Sequence, residues 1–186
     1  MRKAIFLIIV IPVLLLATSA AAQTSQSDWS AKVSQALPLL GHRNWILVVD
    51  SAYPLQTSPG VETIETNANQ LDVVRIVLAK INRSAHVSPD IYMDAELPYI
   101  TDADAPGVSV YRTETGELLH DYKIESMPHE KIISTIDEAG KTFRVLVLKT
   151  NMTIPYTSVF IRLDCKYWNA DQEKRLREKM SSAKPQ

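Results

Sequence analysis

Cysteine is almost absent from this sequence of 186 residues, which contains a single one, Cys165. A lone thiol cannot form a disulfide within the chain, so stability must come from an apolar core, from association between copies, or from both. A single cysteine is also more often a small buried side chain than a nucleophile. The cysteine count therefore argues against a disulfide-stapled scaffold and against thiol chemistry.

The chain also lacks an excess of charge of either sign. It has 20 Lys and Arg against 21 Asp and Glu, and a formal net charge of −1 at pH 7. Its basic cluster near the C-terminus is interleaved with Glu173 and Glu178, as is typical of a solvated helix face. The cluster consists of Lys174, Arg175, Arg177 and Lys179. A nucleic-acid-binding surface is therefore not predicted.

Closely spaced histidines are missing as well. The four histidines are His42, His86, His120 and His129. None of them forms the His-x-His or His-x-x-x-His spacing that metal sites commonly use. We therefore predict no metal site, which argues against a metal-dependent hydrolase.

The longest apolar run lies at the start of the chain, where residues 4–16 follow the positive Met1-Arg2-Lys3. The run is shorter than the about 20 apolar residues that a membrane span needs, and Ala20-x-Ala22 offers a cleavage site before Gln23. No cysteine follows the small residues, so a lipoprotein anchor is not predicted. We predict that residues 1–22 are a cleaved signal peptide, with an uncleaved anchor as the alternative. The mature protein is then expected in the periplasm or outside the cell, without stable membrane insertion.

The remainder of the chain is expected to form one domain of ordinary size. Residues 23–28 are small and polar and are expected to be a flexible leader. The domain proper is predicted over residues 29–168, and residues 169–186 are predicted to be a polar C-terminal helix and tail. The sequence has no internal repeat and no low-complexity region.

Apolar periodicity and turn residues predict a mixed order of helices and strands. Helices are predicted over residues 29–40, 69–81, 126–140 and 169–180, and strands over residues 45–49, 91–93, 145–148 and 158–163. A hairpin is predicted from strands at 108–111 and 118–124 around the turn Glu114-Thr115-Gly116-Glu117. The predicted fold class is α/β, a single-domain sandwich with a mixed sheet flanked by helices.

The first segment with chemical potential spans residues 40–54. His42 precedes the apolar strand at residues 45–49, and Asp50 follows its carboxyl end, where open α/β sheets present ligand-binding groups. A carboxylate that ends an apolar strand is costly to bury without a partner. The alternative is structural: an aspartate that caps the following loop, and a histidine whose hydrogen bonds are satisfied.

The second such segment spans residues 149–161 and contains Tyr156 and Ser158. If Tyr156 lies on the strand that follows it, the two hydroxyls point to the same face, because side chains alternate along a strand. The alternative is a tyrosine packed at the start of a strand with an ordinary serine beside it.

Taken together, the two segments resemble the RbsD/FucU family of ribose pyranases and fucose mutarotases. The matches in the first segment are Gly41, His42, Asp50 and Pro54, with the family's eight-residue step from histidine to aspartate. The match in the second segment is Tyr156, which stands before the apolar residues 159–161. The resemblance covers about residues 29–168.

This resemblance implies a decameric ring with sugar pockets between neighbouring subunits, and interconversion of ring and anomeric forms without a cofactor. It implies that His42 is the acid/base group and that Tyr156 forms a hydrogen bond with the sugar. Asp50 would orient His42 or bind a sugar hydroxyl. Ser158 would bind substrate, and His129 is the nearest candidate for the family's second histidine.

Departures from the family pattern leave two functions open. Asn44 and Ser158 replace a family aspartate and asparagine, and the predicted signal peptide contrasts with the cytoplasmic setting of the family's sugar mutarotases. One hypothesis is an exported monosaccharide mutarotase that acts on a sugar such as ribose or fucose by acid/base catalysis. The other is a non-catalytic sugar-binding or assembly module on the same fold. Both predict a homo-oligomer that binds a monosaccharide.

Overall fold

The structure is a computed structural model that describes residues 28–183. The strands are β1 Trp45–Val49, β2 Val61–Glu65, β3 Val87–Asp94, β4 Ile124–Met127, β5 Val145–Lys149 and β6 Val159–Cys165. The helices are α1 at residues 28–36, α2 Gln70–Arg83, α3 Val108–Leu118, α4 His129–Thr142 and α5 Ala170–Ser182. The predicted signal peptide at residues 1–22 lies outside the described residues, as does the predicted leader up to residue 27.

The strands form one six-stranded sheet in the order β2-β5-β1-β6-β3-β4. Strand β6 runs antiparallel to both of its neighbours, β1 and β3, whereas the other pairs are parallel. The ends of β1 to β5 and the beginning of β6 therefore meet along one edge of the sheet, here called the carboxyl edge. The opposite edge is called the amino edge.

Helices cover both faces of the sheet. On one face, α1, α2 and α3 pack on Ile46 and Val48 of β1, and on the other face α4 packs on Trp45, Leu47 and Val49. All five residues of β1 are buried, as the continuous apolar run predicted. Burying a large aliphatic side chain contributes roughly 1.5–3 kcal/mol, so the central strands are a major source of stability. The predicted α/β sandwich with a mixed sheet is confirmed.

The predicted hairpin at residues 108–124 is wrong, because residues 108–118 form helix α3. Its buried residues are spaced by three and four: Val108, Tyr111, Thr115 and the following Leu119. This spacing puts them on one side of a helix, and packing against the sheet overrides the β-propensity of the local sequence. The helix begins where the Asp102 side chain accepts hydrogen bonds from the backbone N–H groups of Gly107 and Ser109.

The two strands that the sequence pattern did not predict, β2 and β4, are the two edge strands of the sheet. In β2, Ile64 is the one buried residue, and β4 has no buried residue. Edge strands bury little side-chain area and so carry a weak apolar pattern. The central strands β1, β5 and β6 were predicted to within two residues at each end.

The helices predicted at residues 69–81, 126–140 and 169–180 correspond to α2, α4 and α5. The Asn69 side chain caps α2 by accepting hydrogen bonds from the N–H groups of Leu71 and Asp72. Helix α5 begins with a capping box between Asn169 and Gln172 and buries none of its residues. No helix within residues 28–183 is long and apolar enough to cross a membrane.

Helix α4 meets the beginning of β2 through two glycines. The N–H of Gly60 donates a hydrogen bond of 3.0 Å to the carbonyl oxygen of Gly140. A Cβ atom added to Gly60 would lie 2.5 Å from that oxygen and closer still to the carbonyl oxygen of Phe143. Because both obstructing atoms belong to backbone, the contact requires glycine at position 60.

We predict that Gly60→Ala lowers the free energy of unfolding by about 1–3 kcal/mol, the usual cost of overpacking a close contact. Gly116→Ala is the matched control, because a Cβ there meets nothing within 4 Å. Gly116 is exposed inside α3, so alanine should raise the free energy of unfolding by about 0.5–1 kcal/mol. Urea unfolding of both variants measures the two effects. A stability of Gly60→Ala equal to that of the unmodified protein would contradict the close contact.

Candidate active site

A cleft of about 580 Å³ opens at the carboxyl edge of the sheet. Its polar lining includes Asp50 and Tyr53 from the loop after β1, His129 at the start of α4, and Tyr156 from the loop before β6. Apolar side chains complete the wall, among them Ile133, Ile154 and Pro155. The cleft therefore offers a few polar groups on a largely apolar surface, which is typical of small-molecule sites.

The register of the sheet places Ser158 opposite one aspartate and within one residue of another. Val159 of β6 pairs with Val48 of β1 and with Met93 of β3. Continuing each pairing by one residue sets Ser158 opposite Val49, which precedes Asp50, and opposite Asp94. The Ser158 hydroxyl donates a hydrogen bond of 3.4 Å to Oδ2 of Asp50.

Asp50 also shapes the loop that follows it. Its Oδ1 accepts a hydrogen bond of 2.8 Å from the N–H of Ala52, so the side chain closes a turn directly after β1. This is the loop-capping role that the sequence left open as an alternative. The same carboxylate lines the cleft and reaches Ser158, so Asp50 has both a structural contact and an open surface.

The strongest electrostatic feature of the cleft is a pair formed by Asp94 and His129. Nδ1 of His129 lies 3.0 Å from Oδ1 of Asp94. The Asp94 side chain is fully buried, whereas that of His129 is 35% exposed. When Asp94 is ionised it can only accept, so Nδ1 donates to it, and in the neutral form of the ring Nε2 then carries the lone pair. Nε2 has no hydrogen-bond partner among residues 28–183.

Three contacts fix the position of His129. It is the first residue of α4, and both carboxylate oxygens of Glu96 accept its backbone N–H, at 3.0 and 3.1 Å. A carboxylate at this position also interacts favourably with the helix dipole. The ring of Tyr156 stands edge-on to the imidazole at a centroid distance of 5.2 Å. Backbone, Nδ1 and one side of the ring are thus held, and Nε2 is left for a ligand.

Burial and neighbouring carboxylates raise the pKa values of two acidic groups of the site. Burial raises the pKa of Asp94, an effect that the hydrogen bond from His129 partly offsets. Burial also raises the pKa of Tyr53, with further contributions from Asp137, Asp94 and Asp50. The Tyr53 hydroxyl therefore stays protonated and donates a hydrogen bond of 3.3 Å to the side-chain oxygen of Gln56.

The structure places His42 at the amino edge, away from the other predicted site residues. Its Nδ1 lies 2.6 Å from Oδ1 of Asp164, and its Nε2 accepts a hydrogen bond of 3.2 Å from Nε of Arg43. The five residues of β1, about 16 Å of strand, separate His42 from Asp50. Within one subunit Asp50 therefore cannot orient His42, and both ring nitrogens of His42 have partners on the protein.

The other four predicted site residues come together at the cleft: Asp50, Tyr156, Ser158 and His129. Tyr156 does not lie on β6, which begins at Val159, and its φ of 57° is in the left-handed region. Strand alternation therefore does not set the direction of its side chain. Tyr156 reaches the cleft because the loop before β6 folds back over the end of the sheet.

Asp94 and Glu96 are parts of the site that sequence reasoning missed. Asp94 ends β3 at the carboxyl edge, as Asp50 follows β1, so the same rule on strand ends could have found it. The signal was weak because Pro89 and Asp90 interrupt the apolar pattern of β3. Across residues 28–183, no group of three or more His, Cys, Asp or Glu side chains is arranged to hold a metal ion.

The raised pKa of Asp94 predicts a pH dependence of stability. Between the ordinary pKa of an aspartate and the raised one, the folded state holds a proton that the unfolded state has released. The free energy of unfolding therefore falls as pH rises through this window. The side chain in Asp94→Asn cannot titrate and serves as the reference. The difference in free energy of unfolding, unmodified protein minus variant, should therefore fall as pH rises through this window. Urea unfolding at a series of pH values tests this, and a difference that grows with pH would contradict it.

No family model matches the sequence, and no curated protein matches it. The fold is similar to that of FucU from Bifidobacterium longum, with a TM-score of 0.50 and 10% identity over 72% of this chain and 94% of FucU. For Bacillus subtilis RbsD complexed with D-ribose, the TM-score is 0.48, with 15% identity over 83% of this chain and 98% of RbsD. For the fucose mutarotase from Streptococcus pneumoniae in complex with L-fucose, the TM-score is 0.49, with 14% identity over 75% of this chain and 94% of the mutarotase. By its similarity to FucU, the chain has the RbsD/FucU-like fold that its two motifs predicted.

Proposed function

We propose that this protein is a monosaccharide mutarotase, which interconverts the ring or anomeric forms of a sugar such as ribose or fucose in the cleft at the carboxyl edge. The observation that carries the proposal is the pair of His129 and buried Asp94, which leaves Nε2 of the histidine unpartnered in the cleft. The RbsD/FucU-like fold supports the proposal, because FucU shares it.

Ring opening of a sugar requires two proton transfers. In the proposed reaction, Nε2 of His129 takes the proton of the anomeric hydroxyl, the carbonyl bond forms at that carbon, and its bond to the ring oxygen breaks. A second group, for which His42 of a neighbouring copy is proposed below, donates a proton to the ring oxygen. The sugar closes again through attack of that oxygen on either face of the carbonyl, which returns the proton of the ring oxygen to the second group and the proton held by His129 to the anomeric oxygen. Asp94 stabilises the imidazolium that exists between the two transfers.

The remaining groups of the cleft suit a sugar. The Asp50 carboxylate can accept hydrogen bonds from sugar hydroxyls, and the Ser158 hydroxyl can accept or donate them. The Tyr156 hydroxyl is proposed as a third group that binds the sugar. The C–H groups of a sugar ring would pack on the apolar wall near Ile133 and Ile154. No step of this reaction needs a cofactor.

One observation favours a second candidate function, sugar binding without turnover. Among the lining residues of the cleft in one chain, His129 is the one histidine. A second proton-transfer group is therefore not supplied by an imidazole of the same subunit. Asn44 and Ser158, which replace acidic and amide residues of the family pattern, point in the same direction.

The predicted role of His42 stays a proposal and requires a second subunit. The RbsD/FucU resemblance implies pockets between neighbours, and in such an assembly the amino edge of one copy could face the cleft of the next. His42 would then supply the second proton-transfer group. His42 and Asp164 are 54% and 39% exposed, so this pair is open to a neighbouring chain.

Export also stays a proposal, because the apolar run that predicts it lies outside the described residues. We propose that the domain acts in the periplasm or outside the cell after cleavage before Gln23.

We predict that the protein accelerates exchange between ring or anomeric forms of at least one monosaccharide, and that His129→Ala lowers this acceleration by about 10²–10⁴-fold. Saturation-transfer proton NMR of ribose, fucose and a panel of other sugars measures the exchange. His120→Ala is the matched control, because His120 is 70% exposed and does not line the cleft. It should exchange sugars like the unmodified protein.

Three outcomes of this experiment separate the two functions. Full activity of His129→Ala would remove His129 from the mechanism. Absence of acceleration for every sugar, together with calorimetric binding of one of them, would establish the binding module. Absence of both acceleration and binding would overturn the proposed sugar site.

A mixing experiment tests the role of His42. If neighbouring subunits share each site, His42→Ala and His129→Ala are both inactive alone, and co-assembled mixtures regain part of the activity. Activity returns because some sites then combine an intact His42 with an intact His129. Full activity of His42→Ala alone would show that His42 only pairs with Asp164.

A further inference from the structure

The loop that connects β5 to β6, here called the cleft loop, spans residues 150–158. It supplies Thr153, Ile154, Pro155 and Tyr156 to the wall of the cleft, and Ser158 at its end reaches Asp50. Tyr156 holds a left-handed backbone conformation with a φ of 57°. Residues other than glycine adopt that conformation at a cost, so it persists only when the surroundings enforce it.

A buried polar cluster lies beneath the cleft loop and joins its two ends. Four side chains form this cluster: Gln70 of α2, Tyr111 of α3, and Thr150 and Thr157 of the loop. All four residues are at most 4% exposed, and Gln70 and Thr157 are fully buried. Such a cluster is stable only if its members satisfy one another, because unpaired buried polar groups are costly.

The hydrogen bonds of the cluster converge on the residue that follows Tyr156. The carbonyl oxygen of Thr157 accepts one hydrogen bond from the Tyr111 hydroxyl, at 2.6 Å, and another from the side-chain amide of Gln70. The same amide nitrogen donates to the Tyr111 oxygen, at 3.1 Å. The Thr157 hydroxyl donates to the carbonyl oxygen of Ile154 at 2.7 Å, which closes the turn around Tyr156.

The other end of Gln70 reaches the beginning of the loop. Its side-chain oxygen lies 3.2 Å from the hydroxyl of Thr150, which also lies 2.8 Å from the carbonyl oxygen of Val49. Asp50 follows Val49 directly. The Gln70 side chain thus connects the two ends of the cleft loop, and the Thr150 hydroxyl extends the connection to the end of β1. Asp50, Tyr156 and Ser158 project from these places.

We infer that Gln70 and Tyr111 are positioning residues of the site, which hold Tyr156 and Ser158 at a fixed place relative to Asp50 without themselves touching a ligand. Neither residue lines the cleft. The inference that this placement serves sugar exchange rests on the proposed function. The placement itself, which is a property of the cleft loop, does not.

The main variant is Gln70→Leu, which keeps the approximate volume of the side chain and removes both of its polar ends. We expect the cleft loop to lose its fixed conformation, and sugar exchange to slow by about tenfold to a hundredfold, as small misplacements of site groups do. The loss should appear mainly in kcat if the loop positions reacting groups. Tyr111→Phe should have a smaller effect, because Gln70 still holds the Thr157 carbonyl.

Fluorine NMR of the protein labelled with fluorotyrosine reports on the loop directly. The Tyr156 resonance, assigned by its loss in Tyr156→Phe, should move or broaden in Gln70→Leu. Val77→Ala is the control, because Val77 is a fully buried apolar residue of the same helix outside the polar cluster. It should lower stability without moving the Tyr156 resonance or the exchange rate.

A pair of substitutions at Thr150 keeps the test usable if Gln70→Leu does not fold. Thr150→Val removes the hydroxyl at nearly constant shape, and Thr150→Ser retains it. The serine variant should keep the Tyr156 resonance and the exchange rate of the unmodified protein, whereas the valine variant should change both. Equal behaviour of the two variants would overturn the inference.

The outcomes distinguish failure of this inference from failure of the proposed function. If no sugar is exchanged by the unmodified protein, the proposed function fails, and the Tyr156 resonance still decides whether the cluster positions the loop. If exchange occurs and Gln70→Leu behaves like Val77→Ala in both measurements, the cluster is structural only. A moved resonance together with slowed exchange supports the inference.

Discussion

The antiparallel placement of β6 between β1 and β3 is the constraint on which the cleft depends. In an all-parallel sheet, the residues that precede β6 would lie at the amino edge. Because β6 is reversed, the segment before it shares the carboxyl edge with the ends of its two neighbours. Strand register then sets Ser158 opposite Asp94 and opposite Val49, and Asp50 follows Val49 directly and reaches Ser158 through its side chain. The cleft loop folds over these residues, and α4 brings His129 to the same place.

Placing a carboxylate such as Asp94 in the interior opposes folding, because burial penalises its ionised form. The partner that reduces this cost, His129, is also the group whose remaining nitrogen opens into the cleft. Stability and chemistry are therefore coupled at one hydrogen bond. Glu96 adds to the arrangement from outside, since it fixes the first backbone N–H of α4 and so limits where the imidazole can move.

The central part of the fold could be predicted from the sequence because β1 and the first four residues of β5 are buried apolar runs and β6 begins with three buried apolar residues. The edge strands β2 and β4 could not, since they bury too few side chains to leave a pattern, and α3 was mistaken for a hairpin because its helical spacing is spread over β-forming residues. At the site, Asp50, Tyr156, Ser158 and His129 were predicted, but Asp94 was hidden in an irregular strand. The position of His42 shows why motif spacing did not predict which residues share a site. The eight-residue step from His42 to Asp50 crosses β1, so the two residues lie at opposite edges of the sheet.

Helix α4 acts as a rigid rod between two very different contacts. His129 stands at its first residue, and Gly140, which touches Gly60, lies near its last. The two positions are about 17 Å apart along the helix axis, so a tilt of about 5° at the glycine contact displaces the imidazole by about 1.4 Å. A side chain added at the glycine contact would thus tilt α4 and move the His129 imidazole in the cleft. Packing at the far end of α4 can in this way set the position of the histidine in the cleft.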